Sequence, residues 1–174
     1  MLSEQDHSVP DALVAALADI ERHVSRSGWD QPARLFALVR TDELIRNEPS
    51  LAEHLSVGAP DGLSSVEQED FHAGERLDQT LAGIAWPASV AGCAIAFEHA
   101  TVPPEYEHEL PQDPHEASLF VARHPHRVDI RLVAGALRDG SQYGLGRVVS
   151  NPDDLVGGPE FVPALTKALW ETLR

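Results

Sequence analysis

Cysteine, methionine, lysine and aromatic residues are all scarce in this chain, and each shortage excludes something. With Cys93 as the one cysteine, no intrachain disulfide can form, which fits a reducing cytoplasm. No run approaches the roughly 18 consecutive apolar residues of a spanning helix, so no membrane insertion is expected. The opening residues Met1 to His7 are acidic and lack the basic region and apolar segment of a secretory signal. Cytoplasmic localisation is the expectation. Basic residues are also few, 13 Lys and Arg against 28 Asp and Glu, a net charge of -15. A surface of that sign repels polyanions and anionic lipid headgroups, which excludes nucleic acid as a partner.

Catalytic signatures are missing too. The chain has no P-loop, G-x-G-x-x-G, G-x-S-x-G, H-E-x-x-H or C-x-x-C, which removes the readily recognised enzyme classes and calls for no cofactor. Glu98, His99, His108, His115, His124 and His126 lie close in sequence, but none forms a helical pair of histidines four apart. They read as surface and helix-end residues, and no metal site is assigned. Cys93, between Gly92 and Ala94 in an apolar run, reads as an inert filler, because thiolate reactivity needs an exposed, electropositive setting. Trp29, Trp86 and Trp170 adjoin element boundaries or apolar stripes and read as packing residues.

What is present is an ordinary globular composition: 174 residues, 43% apolar and 24% charged, with 13 prolines and 12 glycines scattered as punctuation. The expectation is one α+β domain over residues 1–174, with 1–8 flexible. Its sheet is mainly antiparallel, of about four to five strands, packed by N- and C-terminal helices. The stretch Trp86 to Glu98, in which Pro87 breaks a helix and whose apolar run continues to Val102 before Pro103-Pro104, is its central strand. Small residues (Gly92, Ala94, Ala96) occupy one side and larger ones (Cys93, Ile95, Phe97) the other, which suits a strand with a layer on each face.

Leu13, Leu17, Ile20 and Val24 form a helical stripe over Val9–Ser27, capped by Ser8 and ended by Gly28. Leu35 to Val39 reads as a buried strand, with a helix capped by Asp30 as the alternative. A helix from Thr41 to Pro49 follows, then a short capped turn from Ser50 through Leu55. Leu63 to Phe71 reads as an edge strand, and Leu77, Leu81 and Ile84 mark a helix stopped by Pro87. Asp113-Pro114-His115-Glu116 opens a helix to about Arg123.

Val128 to Ala136 and the strand beyond Asp139-Gly140 form a hairpin. With Asp139 and Gly140 as a two-residue turn, Ala136 faces Tyr143, Ala134 faces Leu145, Leu132 faces Arg147 and Ile130 faces Val149. Arg147 then stands out on an otherwise apolar face. On the reverse face Gly135 meets Gly144 and Val133 meets Gly146, a patch without side chains where an element or ligand can approach. Asn151 to Asp154 reads as a loop, and Gly157-Gly158-Pro159 as the opening of a helix carrying Phe161, Leu165, Leu169 and Leu173.

Gly28-Trp29-Asp30-Gln31-Pro32 with the run to Val39, Ile84-Ala85-Trp86-Pro87 with Val90 to Ala94, Leu137-Arg138-Asp139-Gly140, and Gly158-Pro159-Glu160-Phe161-Val162-Pro163-Ala164-Leu165 together resemble a family of uncharacterised actinobacterial proteins. The resemblance covers most of the chain and implies a cytoplasmic bacterial protein. It carries over no activity or site residue.

Two functional expectations follow. The first is a non-enzymatic binding, adaptor or chaperone-like module that docks a protein partner through an acidic or sheet surface, with a homodimer among the assemblies it admits. The chaperone comparison is fold analogy alone. Carboxylates cluster between Asp42 and Asp78 and again after Pro103, so Glu105, Glu107, Glu109 and Asp113 are candidate partner-binding residues. The alternative is an enzyme or small-anion binder built on Arg147, Gly135, Gly144 and Gly146.

Overall fold

A computed structural model describes residues 11–29, 31–50, 62–72, 77–149, 151–159 and 161–174. The expectations for residues 1–8, for a Ser8 cap and for a turn continuing through residues 51–55 lie outside the described residues. The elements in chain order are α1 (Asp11–Ser25), β1 (Arg34–Arg40), α2 (Thr41–Asn47), β2 (Leu63–Glu67), α3 (Leu77–Ala82), β3 (Gly92–Thr101), a 3-10 helix (Pro104–Glu109), α4 (Pro114–Arg123), β4 (Val128–Leu137), β5 (Gln142–Val148), β6 (Asn151–Gly158) and α5 (Pro163–Glu171). No helix among them is long and apolar enough to cross a membrane.

The strands form one antiparallel sheet in the order β2-β1-β3-β4-β5-β6, so the fold is α+β. β3 is an inner strand, paired on both sides, as its composition suggests. On one face Leu13, Leu17, Ile20 and Val24 of α1 bury Phe36, Leu38, Ala94, Ala96, Val133 and Leu145. On the other, Leu169 and Leu173 pack with Leu81 of α3 against Leu35, Ala37, Cys93, Ile95, Ala134 and Ala136. The small residues of β3 therefore lie under α1, whose leucines and isoleucine are bulky, and the larger ones meet α5.

Three sequence expectations are corrected. Among the described residues there are six strands, because Asn151 to Asp154, read as a loop, opens β6. Asn, Pro, Asp and Gly are poor strand formers, yet backbone pairing to β5 draws them in, and Pro152 is tolerated because this strand lies at the sheet edge. Second, Gly157 and Gly158 end β6 instead of opening a helix, and α5 begins at Pro163. Phe161 lies in the connection.

The third correction is the hairpin register. Leu137 N–H donates to Ser141 O (2.9 Å) and Gly140 N–H to Leu137 O (3.0 Å), so the loop holds three residues, with Gly140 at φ +97°. A turn followed by a left-handed glycine is the three-residue solution, and glycine takes that φ without steric cost. The pairs are consequently Ile130 with Val148, Arg131 with Arg147, Leu132 with Gly146, Val133 with Leu145 and Ala134 with Gly144. A shift of one residue turns every β5 side chain to the opposite face.

Two devices close the layers. Arg138 spans the turn before β3 and the C-terminal end of the chain. Its Nε donates to Val90 O (2.6 Å), Nη2 to Pro87 O (2.9 Å) and Nη1 to Leu173 O. Trp86 Nε1 donates to Thr172 Oγ1 at 2.9 Å.

Gly92 shows how closely β3 and β4 approach: a Cβ there would lie 2.5 Å from Ala136 O. Gly92→Ala should therefore destabilise the fold by about 1–3 kcal/mol, the usual cost of overpacking. Urea unfolding checks this, and a midpoint equal to that of the parent would contradict the register at Gly92.

Candidate functional site

The corrected register places Arg147 under α1, where it meets a carboxylate that sequence reading did not single out. Arg147 Nε and Nη2 donate to Glu21 Oε2 (3.0 Å) and Oε1 (2.9 Å), a two-pronged pair. Glu21 is 1% exposed. It also accepts from Ser25 Oγ at 2.8 Å, and Arg131 Nη1 lies 3.6 Å from its Oε2. Arg131, 2% exposed, donates to Ser25 Oγ (3.0 Å) and to Gly28 O, while its Nε is buried without a partner. Trp29 covers this guanidinium at 4.3 Å from ring centroid to Cζ, a cation–π contact that shields the charge from water.

The local sequence makes this possible. Glu21 follows Leu17 by four residues and precedes Val24 by three, so it lies in the buried stripe of α1 and not on its solvent face. Gln31 Nε2 donates to Val24 O (3.0 Å) and its backbone N–H to Glu98 Oε2 (2.8 Å), which folds the segment after α1 back over the cluster. A carboxylate within the apolar stripe was the available signal for Glu21. The signal for Arg131 was an arginine in a strand whose neighbours are buried on both faces.

Burial pushes the Glu21 carboxyl up. The hydrogen bonds from Arg147 and Ser25, with the charges of Arg147 and Arg131, outweigh it and hold the group below its ordinary range. The same contact with Glu21 raises Arg147, against desolvation and with help from the Asp153 charge.

The glycines do not form one open patch. Gly135 lies beneath Leu17 of α1, whereas Gly144 and Gly146 lie on the opposite face beneath Val162 and Phe161. A Cβ at Gly146 would come within 2.8 Å of the Phe161 ring. The protein's own segment between β6 and α5 fills the space that sequence reading left open for a ligand.

The acidic candidates are placed differently again. Glu105, Glu107 and Glu109 are exposed on the 3-10 helix, and none forms an ion pair among the described residues. Asp113 is exposed but occupied: its Oδ2 accepts from Glu116 N–H at 3.0 Å as the cap of α4. Tyr106 stacks on His126 (5.1 Å, 8°) and meets His124 edge-on (4.6 Å), tying the 3-10 helix to the turn after α4. Among the described residues, no group of three or more His, Cys, Asp or Glu is arranged to hold a metal ion.

Two surface depressions bring polar groups together. One, of about 420 Å³, is bordered by Arg40, Leu63, Leu137 and Arg138; the other, of about 600 Å³, by Arg34, Glu67, Phe71 and His72. Arg138 is committed to backbone carbonyls, and Arg34 is held by Glu67 through bonds of 2.7 and 2.6 Å. Cys93 is fully buried, its Sγ 3.5 Å from Leu169 O and Thr172 Oγ1. Burial pushes this thiol up to about 11, despite its hydrogen bonds with Thr172 and Trp86 and the charge of Arg138.

A family model described as PPA1309-like protein matches residues 13–174. The chain belongs to this family. No curated protein and no solved structure matches it. The matched span begins at Leu13, within the buried stripe of α1, and includes the whole Glu21–Arg131–Arg147 cluster and the six strands of the described residues.

Two measurements check the electrostatics. Glu21→Gln leaves Arg131 and Arg147 without a buried counter-charge and should cost about 3–5 kcal/mol in urea unfolding. Because the Glu21 carboxyl lies lower in the folded than in the unfolded chain, its stabilisation is complete above the ordinary carboxylate range. It is lost as pH falls through the lowered value. The parent should therefore lose stability below about pH 4, and Glu21→Gln should lack the share of that loss due to this group. Equal acid profiles would contradict the assignment. For Cys93, a thiol reagent at neutral pH should label unfolded but not folded protein, and rapid labelling of folded protein would refute an inert buried thiol.

Proposed function

We propose that this protein is a non-catalytic binding module that docks a basic protein partner through its outward-facing carboxylates. The observation that carries this reading is a run of unopposed carboxylates on one exposed element. Glu105, Glu107 and Glu109 of the 3-10 helix face solvent without ion pairs among the described residues, whereas Arg34, Arg131 and Arg147 have their guanidinium groups on internal partners. A chain of net charge -15 arranged in this way attracts a cationic surface over a distance comparable with the screening length and repels an anionic one.

The anion-binding alternative loses its motive for the same reason. Arg147, its central residue, already has both prongs on Glu21, and recruiting it would leave a buried carboxylate exposed to the full cost of desolvation. Gly144 and Gly146 are covered. The adaptor reading needs neither change.

The test is quantitative affinity capture from lysate of the producing cell, comparing the parent with Glu105→Lys/Glu107→Lys/Glu109→Lys. The reading expects basic proteins that elute with salt, and about tenfold less of them on the reversed surface. A captured set unchanged by charge reversal and salt would overturn it.

A further inference from the structure

α4 is fastened to the rest of the protein along one side. Of its residues Val121 alone is buried, and the far side carries Glu116, Leu119, Phe120 and Arg123. These positions follow the i, i+3, i+4, i+7 spacing that lines side chains up along one stripe of a helix, here turned away from Val121. All four border a single surface depression of about 440 Å³, which Pro111 and Pro125 also line.

The middle of the stripe is apolar and its ends are charged. Leu119 is 42% exposed. Phe120 lies against the His124 ring at 5.3 Å between centroids, and His124 meets Tyr106 of the 3-10 helix at 4.6 Å, so the aromatic part of the stripe is held in place by the protein's own rings. Glu116 and Arg123 are both exposed, and neither side chain has an ion pair or hydrogen bond among the described residues. Seven residues separate them, roughly 10 Å along the axis, too far to bridge each other.

Read along α4, the stripe runs acid, apolar, apolar, base, and it is symmetric about the point between Leu119 and Phe120. We infer that this stripe is the interface of a two-fold homodimer in which α4 of one copy lies antiparallel to α4 of the other. That arrangement sets Glu116 of each copy opposite Arg123 of its mate and Leu119 opposite Phe120, so two ion pairs flank one apolar centre. A two-fold interface must be complementary to itself, and this stripe meets that condition. A parallel pairing fails it, because Glu116 would face Glu116 and Arg123 would face Arg123.

The net charge of -15 opposes association, but the stripe is itself balanced and charges more than about 8 Å away are largely screened at physiological salt. One helix from each copy makes a small interface, so the dimer is a weak one, of micromolar dissociation constant. The inference goes beyond the partner-docking reading and does not depend on it, since Glu105, Glu107 and Glu109 lie outside the stripe.

Sedimentation equilibrium of the full chain between about 1 and 500 μM tests it, with an expected rise in mass from one chain towards two. Glu116→Arg and Arg123→Glu each place like charges opposite one another at both ends, and each should weaken self-association about tenfold or more. Mixed in equal amounts, these two variants should associate with each other, because a wholly basic stripe then meets a wholly acidic one. The exchange Glu116→Arg/Arg123→Glu should restore the mass profile of the parent.

An acid in the first turn and a base in the last also suit the helix dipole. If that were their whole role, the single variants would lose Tm without any change in mass, and the inference would be overturned. A parent that remains a single chain at every concentration would overturn it too, as would a dimer indifferent to both charge reversals, or single variants that stay apart when mixed. Failure of basic-protein capture at Glu105, Glu107 and Glu109 would leave the dimer standing, and loss of the dimer would leave that reading untouched.

Discussion

Glu21 is the constraint on which the arrangement of this sheet depends. A carboxylate almost wholly removed from water must find counter-charge and hydrogen bonds, and it finds them in Arg147 of β5, Arg131 of β4 and Ser25 of its own helix. Such a pair gives little net stability against a well-packed apolar alternative, because desolvation offsets most of the attraction. Its stronger effect is on alternatives. Moving β5 by one residue would carry Arg147 to the α5 face and leave Glu21 without its two-pronged partner. The loop reinforces this choice, since Gly140 at positive φ closes three residues, not two. Charge and turn geometry thus select the same register, the agreement across levels that lets a sequence specify one structure.

The second consequence concerns the few cations. With 13 basic residues in a chain of 174, those used inside are not available outside, and several tie together parts of the chain far apart in sequence. Arg138 joins the turn at Pro87 to the end of the chain at Leu173. Arg34 joins β1 to β2 through Glu67. Arg131 and Arg147 join the sheet to α1. Arg22, Arg26, Arg46, Arg123, Arg127, Lys167 and Arg174 stay exposed, so the outward excess of acid comes first from the composition, and the arginines held inside add to it.

Elements with a repeating or capping signal were legible in the sequence. The α1 stripe, the Asp113 cap of α4 and the inner strand β3 each state their structure through periodicity or local chemistry, whereas the short apolar run of β1 left strand and helix both open. Three features were not legible because each depends on tertiary context. The hairpin register turned on whether Gly140 was the second or third loop residue, which two-residue turn statistics decide wrongly here. β6 is recruited by an existing edge against its own propensity. The role of Arg147 is set by Glu21, more than a hundred residues away in sequence, and only the position of Glu21 inside an apolar stripe hinted at it. The glycines of β5 were recognised as a place of close approach. What approaches, Phe161 and Val162, could not be read while Phe161 was assigned to a helix.

Those glycines also explain why the helical layers stop short of one edge of the sheet. Gly144 and Gly146 leave the middle of β5 without side chains on the α5 face, so an extended connection can lie directly upon it, with Phe161 set into the space. A helix in that place would stand further from the sheet and reach over β6, burying Val156. Because the connection lies low, α5 is free to begin at Pro163 and pack over β4, β5 and β3 instead. On the opposite face α1 is held over β4 and β5 by Glu21, whose partners lie on those strands and not on β6. Both helical layers are thus anchored inward of the last strand, one by absent side chains and the other by a buried carboxylate. The exposure of Leu155 and Val156 follows from where the two layers are fastened.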